Sequence, residues 1–242
     1  MADFYNEDLA YIHHEGFPSY ESAVAQELLS HLSQRNITSG TIIDLGCGGG
    51  RLLQMLSGKG FDLLGVDVSP PFLKTAQSLV PHAALVHGSV YEATLPPCVA
   101  VTSVGEVLSY VPQPQPHQHQ LERLFSDVYE QLQPNGLFLF DLIIKDDDAP
   151  FFTHVWRTGQ DWAVMAEARE TADRKFIERE IISFRKSGQG YQRSEEMHYQ
   201  EILNSEIVLG MLQTVGFSVQ ITDGYGDLPV TPHRKAFYAH KE

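Results

Sequence analysis

The fold of this chain is decided by the stretch IIDLGCGGGR, residues 42–51. A short apolar run stops at a cluster of glycines, and a helix-forming segment follows, which is typical of a buried strand that turns into a helix. Glycines suit such a turn because the backbone takes positive φ there and because a ligand can approach without meeting a Cβ atom. The free N–H groups at the helix start then face that ligand, so the pattern predicts a binding site.

A carboxylate follows this turn at an informative interval. Asp67 stands at the end of the next apolar run, 23 residues beyond Asp44. An acid in that position accepts hydrogen bonds from the hydroxyls of a ribose. The glycines at 46, 48, 49 and 50 depart from the G-x-G-x-x-G spacing of dinucleotide sites, which favours a different nucleoside ligand. The plain alternative is a tight turn followed by an ordinary surface acid.

Strand and helix patterns alternate across residues 41–144, which predicts a parallel sheet with helices on both faces. The predicted strands are 41–45, 61–66, 83–86, 99–104 and 137–144, and the predicted helices between them are 51–57, 69–79 and 117–132. A helix is expected from Ser19 to Gln34, and the aromatic segment before it, up to Pro18, is expected to be irregular.

A different pattern follows in residues 161–202. Three strand-like segments, 162–168, 176–184 and 191–202, are separated by short polar turns, which predicts a small antiparallel sheet. A helix over 204–215 and two strands, 217–222 and 236–240, complete the chain. We therefore expect a main domain of residues 1–149 and 203–242, with an insertion at 150–202.

The composition excludes several classes of partner. The 242 residues include 17 Lys and Arg against 31 Asp and Glu, a formal net charge of −14, so neither nucleic acid nor an anionic membrane is expected to bind. Cys47 and Cys98 cannot form a disulfide framework, and the first residues do not have the pattern of a signal peptide. His117 and His119 lack a third ligand in view, so no metal site is expected. These features indicate a cytoplasmic protein.

Four motifs, in order, resemble those of class I S-adenosylmethionine-dependent methyltransferases. They are the glycine loop at 46–50 preceded by Asp44, the sequence GVDVS at 65–69, LQPNG followed by an apolar strand at 132–141, and LQTVGF at 212–217. The resemblance implies an α/β fold: a Rossmann-like seven-stranded sheet that ends in an antiparallel hairpin. It also implies that the β insertion at 150–202 covers the substrate and that residues 1–18 form a lid.

The resemblance further implies which residues hold S-adenosylmethionine. The glycine loop and Asp44 lie against the methionine part, Asp67 binds the ribose, and the segments after the second, third and fourth strands complete the site. Ser89 stands where the family often has an acid for the adenine amino group. The full set of expected cofactor-binding residues is Asp44, Gly46, Cys47, Gly48, Asp67, Val68, Gly88, Ser89, Val90 and Gly105.

The acceptor side is expected where this fold places its substrate, after the fourth strand. Glu106 and Tyr110 are the candidates there, and His198 of the insertion is the third candidate for a catalytic role. Other candidates to line the opening are Tyr5, Tyr11, His14, Ser109, Trp156, Arg157, Glu195 and Tyr199. The strand period places Glu195 and Tyr199 on one face and Glu196 and His198 on the other.

The predicted reaction is in-line methyl transfer from S-adenosylmethionine to a small-molecule acceptor. The cofactor supplies the leaving group, and the protein supplies alignment and a dry site. Two alternatives stay open at this stage. An NAD-dependent oxidoreductase uses a related glycine loop, and a non-catalytic nucleotide sensor would bind the cofactor without an enclosed acceptor cavity beside Glu106.

Overall fold

The computed structural model describes residues 4–17, 20–145 and 150–242. Its helices are α1 (Glu7–Gly16), α2 (Glu21–Gln34), α3 (Arg51–Leu56), α4 (Pro70–Leu79), α5 (Gln118–Gln131) and α6 (Ser205–Val215). Its strands are β1 (Thr41–Leu45), β2 (Asp62–Asp67), β3 (Ala84–His87), β4 (Cys98–Ser103), β5 (Tyr110–Val111), β6 (Leu132–Ile143), β7 (Phe152–Thr158), β8 (Trp162–Glu170), β9 (Phe176–Ser187), β10 (Gly190–Glu201), β11 (Ser218–Thr222), β12 (Gly224–Tyr225), β13 (Leu228–Pro229) and β14 (Arg234–His240).

The main sheet has seven strands in the order β11-β14-β6-β4-β1-β2-β3. Strands β3, β2, β1, β4 and β6 are parallel, whereas β14 runs antiparallel to both β6 and β11. The predicted Rossmann-like sheet with its antiparallel C-terminal hairpin is confirmed. Because β1, β2, β3 and β4 are parallel and adjacent, the turns that follow them meet at one edge of the sheet.

Helix ends follow the local sequence closely. Ser69 caps α4 by accepting a hydrogen bond from the Phe72 N–H at 3.4 Å, with proline at the first helical position. Gly216 ends α6 in the left-handed conformation, at φ 116°. The expected start of α2 at Ser19 lies outside the described residues. No helix in the described part of the chain is long and apolar enough to cross a membrane.

Apolar layers cover both faces of the main sheet. Leu121, Leu124 and Phe125 of α5 join Val208 and Leu212 of α6 on one face. On the other face, α2 and α3 bury their apolar stripes against β1, β4 and β6. The strands are therefore fixed from both sides, and the turns at their carboxyl ends are held at defined positions.

Helix α1 corrects the expectation of an irregular N-terminal segment. The segment is rich in aromatic and histidine side chains, and its apolar stripe is only two turns long, so periodicity did not reveal it. In the structure Leu9 and Ile12 are buried against Trp162, Val164 and Ile181 of the second sheet. This packing supports a helix that is too short to be stable alone. Residues 1–3 and Pro18 of the expected lid lie outside the described residues.

The second sheet is larger than expected, with five antiparallel strands in the order β5-β10-β9-β8-β7. The three predicted strands correspond to β8, β9 and β10. Strand β7 was missed because it is an edge strand, exposed along nearly its whole length, so no buried alternation marks it. The other edge strand, β5, comes from residues 110–111, outside the insertion. One strand of the main domain therefore completes the sheet of the insertion.

Candidate active site

The glycine loop joins β1 to α3 in the expected way. The N–H groups of Gly46 and Cys47 both donate to the Val66 carbonyl, at 2.7 and 3.0 Å, which ties the loop to the end of β2. Gly46 has φ 76°, and a Cβ atom there would lie 2.5 Å from the Val107 side chain. Only glycine fits this position without strain, because both the backbone conformation and the close approach exclude a side chain.

Asp67 ends β2 and faces the loop. Its two carboxylate oxygens accept hydrogen bonds from the N–H groups of Gly48 and Ser69, each at 2.8 Å. Burial raises the pKa of Asp67, and these backbone hydrogen bonds oppose that rise. Each oxygen retains a second lone pair. Asp67 thus lines the cavity described below as a fixed acceptor of hydrogen bonds, which suits a pair of ribose hydroxyls.

Asp44 lies deeper, at the end of β1, and is 3% exposed. The Thr102 hydroxyl donates to its Oδ1 at 2.7 Å. Burial raises the pKa of Asp44 to about 7, although the hydrogen bond from Thr102 works in the opposite direction. A cationic group placed beside this carboxyl would be paired with a negative charge in a low-dielectric site.

All ten residues expected to bind the cofactor line one cavity of about 1160 Å³. Gly88, Ser89 and Val90 border it after β3, and Gly105 borders it after β4. Burial raises the pKa of the Cys47 thiol well above its usual value, which agrees with a small loop residue and not with a nucleophile. The residues present therefore fit a nucleoside that carries an amino acid group.

The turn after β4 is held by a carboxylate from the neighbouring strand. Asp141 of β6 accepts hydrogen bonds from the N–H groups of Gly105 and Glu106, at 3.0 and 2.7 Å. Arg234 of β14 binds the same carboxylate with two N–H groups, at 2.8 and 2.9 Å, and the Tyr225 hydroxyl also donates to it. Glu106 is consequently fixed at φ 64°, in the left-handed region that non-glycine residues seldom adopt.

The Glu106 side chain has three partners. Arg179 of β9 donates to Oε2 at 3.0 Å, Gln200 of β10 donates to the same oxygen at 2.7 Å, and Arg234 lies 3.6 Å from Oε1. Burial by itself raises the pKa of Glu106. The two arginines lower this pKa by more than burial raises it, so the net shift is downward. Glu106 therefore stays ionised and holds Arg179 in place, which leaves it little capacity as a base.

Two tyrosines continue this network. Arg179 donates to the Tyr110 hydroxyl at 3.1 Å, and the hydroxyls of Tyr110 and Tyr5 lie 2.9 Å apart. Burial raises the pKa of both phenols. His198 lies behind them, fully buried, with its Nε2 2.9 Å from Glu196 and its ring 5.1 Å from the ring of Tyr5. His198 does not line the cavity, whereas Tyr110 and Glu106 do.

The remaining acceptor-side candidates divide between the cavity and the surface. Tyr5, His14 and Arg157 line the cavity. Trp156 is 75% exposed, and Glu195 forms a surface pair with Arg193. Neither Tyr11, which donates to Asp161, nor Ser109 or Tyr199 lines the cavity.

Several residues of the site were not found from the sequence. His13 and Phe4 come from the N-terminal arm, Arg179 and Gln200 from the second sheet, and Arg234 from β14. The only usable signal was strand periodicity, which places Gln200 on the same face as His198 but does not say what that face meets.

The comparisons with known proteins agree with this geometry. A sequence model described as a methyltransferase domain matches residues 42–136. The chain is 35% identical over 123 residues to the mitochondrial ubiquinone biosynthesis O-methyltransferase of Schizosaccharomyces pombe, a match that covers 46% of this chain and 41% of that protein. It is 26% identical over 235 residues to the putative methyltransferase YqeM of Bacillus subtilis, with 88% of this chain and 90% of that protein covered.

Solved structures share the fold over nearly the whole chain. An S-adenosylmethionine-dependent methyltransferase from Clostridium acetobutylicum superposes with a TM-score of 0.79 at 18% identity, covering 96% of this chain and 97% of that one. The amino pentose methyltransferase CalS10 from Micromonospora echinaspora superposes with a TM-score of 0.77 at 14% identity, over all of both chains. The strand order, the glycine loop and these matches lead to one conclusion: the chain has the fold of class I S-adenosylmethionine-dependent methyltransferases, and its residues 42–136 resemble a methyltransferase domain.

Proposed function

We propose that this chain transfers the methyl group of S-adenosylmethionine to a small-molecule acceptor held beneath the inserted sheet. One observation carries the proposal: a single cavity runs from the glycine loop to the second sheet. The cofactor residues border one end, and Glu106 and Tyr110 stand between that end and the strands of the insertion. A non-catalytic sensor does not require this second compartment.

At the cofactor end, each proposed role follows from a group that the structure holds in place. Asp67 accepts hydrogen bonds from the ribose hydroxyls, and Asp44 pairs with the amino group. The segment 88–90 borders the adenine ring, with Ser89 offering a hydroxyl in place of an acid. When bound, the cofactor supplies a methyl group on a positively charged sulfur, and the neutral thioether is the leaving group.

At the acceptor end, small and apolar side chains of the second sheet leave room for a ligand. Val164, Ala166, Ala168 and Ile181 line this part of the cavity. Helix α1 packs on these strands, with Leu9 and Ile12 against Val164 and Ile181. Just before α1, the Tyr5 and Asn6 N–H groups donate to the Glu196 carboxylate at 2.8 and 2.9 Å. An acceptor enclosed in this way is shielded from water and is held close to the reacting atoms.

The three predicted catalytic residues receive different proposed roles. Tyr110 presents a protonated hydroxyl to the cavity and can contact the acceptor. Glu106 is a positioning residue that orients Arg179 by charge, because its carboxylate is already fully paired. His198 is also a positioning residue, since its buried ring supports Tyr5 and Tyr110 from behind.

Two further features support a small acceptor. The net charge of −14 is unfavourable for a nucleic-acid substrate. Two structural neighbours are an amino pentose methyltransferase and a sugar N-methyltransferase, so proteins of this fold and similar length act on small polar molecules. A reducing cytoplasm suits Cys47 and Cys98, which are both buried free thiols.

The test has two parts. Isothermal titration of the purified chain with S-adenosylhomocysteine and, separately, with NAD is expected to show binding of the first only. Incubation with methyl-labelled S-adenosylmethionine and an ultrafiltered pool of cell metabolites is then expected to label a small product. Tight binding of NAD alone would contradict the cofactor. Cofactor binding without any labelled product would contradict the enzymatic role and favour a sensor.

A further inference from the structure

His13 of α1 is one of the residues that line the cavity, and the proposed function gives it no role. Its ring stacks on Phe17 with a centroid distance of 5.5 Å and an angle of 9°, and it meets the edges of Tyr5 at 5.1 Å and Phe72 at 5.7 Å. Three aromatic side chains thus fix the plane of this imidazole.

Neither ring nitrogen of His13 has a hydrogen-bond partner among the described residues. Two histidines close to the site but outside the cavity lining differ in this respect: His117 is bonded to Glu201 and Tyr91, and His198 is bonded to Glu196. A neutral imidazole always offers one donor and one acceptor. The two ring nitrogens of His13 lie on a cavity wall without hydrogen-bond partners from the residues that the structure describes, so a ligand can bind to them.

Burial and the nearby positive charges both lower the pKa of His13 and so keep its ring neutral. Burial lowers its pKa to about 4, with Arg179 and Arg51 adding to the effect and Glu106 opposing it. Burial also lowers the pKa of the neighbouring His14, with Arg51 adding to the effect and Glu15 and Glu21 opposing it. Of these two adjacent histidines, His13 is the one whose pKa is affected by the charges of Glu106 and Arg179.

We propose that His13 is a catalytic residue that accepts the proton of the acceptor's attacking group, an uncharged hydroxyl or amine. This inference rests on the proposed function and adds the chemistry of its acceptor. Other cavity groups near Glu106 are poorly suited: Glu106 is paired with two arginines, and the phenols of Tyr5 and Tyr110 are protonated. A cationic acceptor would meet Arg179, Arg51 and the positive methyl donor.

The step balances as follows. A lone pair on the acceptor oxygen or nitrogen forms the new bond to the methyl carbon. The bond between that carbon and sulfur breaks, and its electron pair stays on sulfur. The hydrogen of the attacking atom passes to the free ring nitrogen of His13, and the resulting imidazolium returns it to water when the product leaves. A hydroxyl gains most from such a base, because its oxygen becomes strongly acidic only as the methyl bond forms.

The experiment compares two variants with one control. His13→Phe keeps an aromatic ring between Tyr5 and Phe72 but has no nitrogen, and His13→Ala opens space for added imidazole. His82→Asn changes an exposed histidine away from the cavity. Each protein is assayed with methyl-labelled S-adenosylmethionine and the metabolite pool, and affinity for S-adenosylhomocysteine is measured in parallel.

Loss of the base is expected to slow transfer by about 100-fold or more in both His13 variants. Imidazole should restore part of the rate of His13→Ala, while affinity for S-adenosylhomocysteine changes less than about 3-fold in either variant. The His82→Asn control should match the unmodified chain. If His13 only packs, His13→Phe will retain its activity, and that result overturns the inference. If the unmodified chain binds no S-adenosylhomocysteine or forms no product, the proposed function itself fails.

A readout without cofactor or acceptor completes the test. In histidine-labelled protein, the His13 ring resonance is assigned by its absence in His13→Phe. It is expected to report a neutral imidazole from pH 8 down to about pH 5, because its pKa is near 4. An imidazole that stays protonated up to pH 8 would contradict a neutral, free base. Once the product is known, the rate of transfer to an oxygen should depend on His13 more strongly than the rate of transfer to a nitrogen.

Discussion

The two ends of the cavity are built in different ways. The cofactor end uses turns that directly follow β1, β2, β3 and β4, so every residue in it is placed by a strand a few positions earlier. The acceptor end combines α1 and the residues just before it, the start of β5, strands of the second sheet and Arg234 of β14. Its geometry depends on contacts between segments that lie far apart in the sequence. The first end can thus be recognised from motifs, whereas the second requires the assembled structure.

Asp67→Ala is the change expected to damage the cofactor end most. Two hydrogen bonds from ribose hydroxyls to a charged group contribute about 1.5–3 kcal/mol each, so affinity for S-adenosylhomocysteine should fall by about 100-fold or more. Isothermal titration measures this loss. Asp62→Ala, at the exposed start of the same strand, serves as the control. An unchanged dissociation constant for Asp67→Ala would remove the ribose role and with it the local basis of this end.

Arg179→Met tests the long-range construction of the acceptor end. The change leaves Glu106 with Arg234 and Gln200 only. Removing one partner of a partly buried pair should lower the free energy of unfolding by about 2 kcal/mol, less than for a fully buried pair. Chemical denaturation measures that loss, with Arg193→Met in an exposed pair as the control. Affinity for S-adenosylhomocysteine should change by less than about 3-fold. A large loss of affinity would show that the two ends are not independent.

Asp44→Asn is expected to have the smallest effect, a change in how affinity for S-adenosylhomocysteine depends on pH. In the free protein the pKa of Asp44 is raised to about 7, and a bound amino group would lower it. Binding below pH 7 must therefore release a proton. Affinity for S-adenosylhomocysteine should rise about 10-fold between pH 5.5 and 8 and level off above that range. The dependence should be absent in Asp44→Asn, and its persistence there would assign it to another group.

The same shift also affects stability without ligand. Because the folded pKa of Asp44 lies above its ordinary value of 3.8, the folded protein binds more protons than the unfolded chain between about pH 4 and 7. The Asp44 contribution to stability is therefore full below pH 4 and is lost as pH rises through 7. Asp44→Asn should remove this loss, which thermal melts across that range can show.

The sequence predicted the main sheet and the cofactor end because both depend on local signals. Apolar strands, glycine turns and strand-terminal acids such as Asp67 lie within a few residues of one another in the sequence. Helix α1 escaped prediction because its stability comes from burying Leu9 and Ile12 against the second sheet. Strand β7 escaped because an exposed edge needs no alternation.

The acceptor end could be predicted only in part. Position after the fourth strand was enough to indicate Glu106 and Tyr110, which both line the cavity. Arg179 could not be found, because its approach to Glu106 depends on how the second sheet is seated on the main domain. His198 was predicted to reach over the opening from the insertion, but it does not line the cavity. Its bond to Glu196 and its place behind Tyr5 depend on the packed aromatic cluster.

The bidentate grip of Arg234 on Asp141 bears on how the protein is synthesised. Asp141 is fully buried, and it holds the N–H groups of the turn that carries Glu106. While residue 234 is still inside the ribosome, the emerging chain has this acid without its cation. The amino-terminal strands can assemble at that time, yet the turn after β4 gains its full support only when β14 arrives. Arrival of that strand thus completes the support of the turn that carries Glu106.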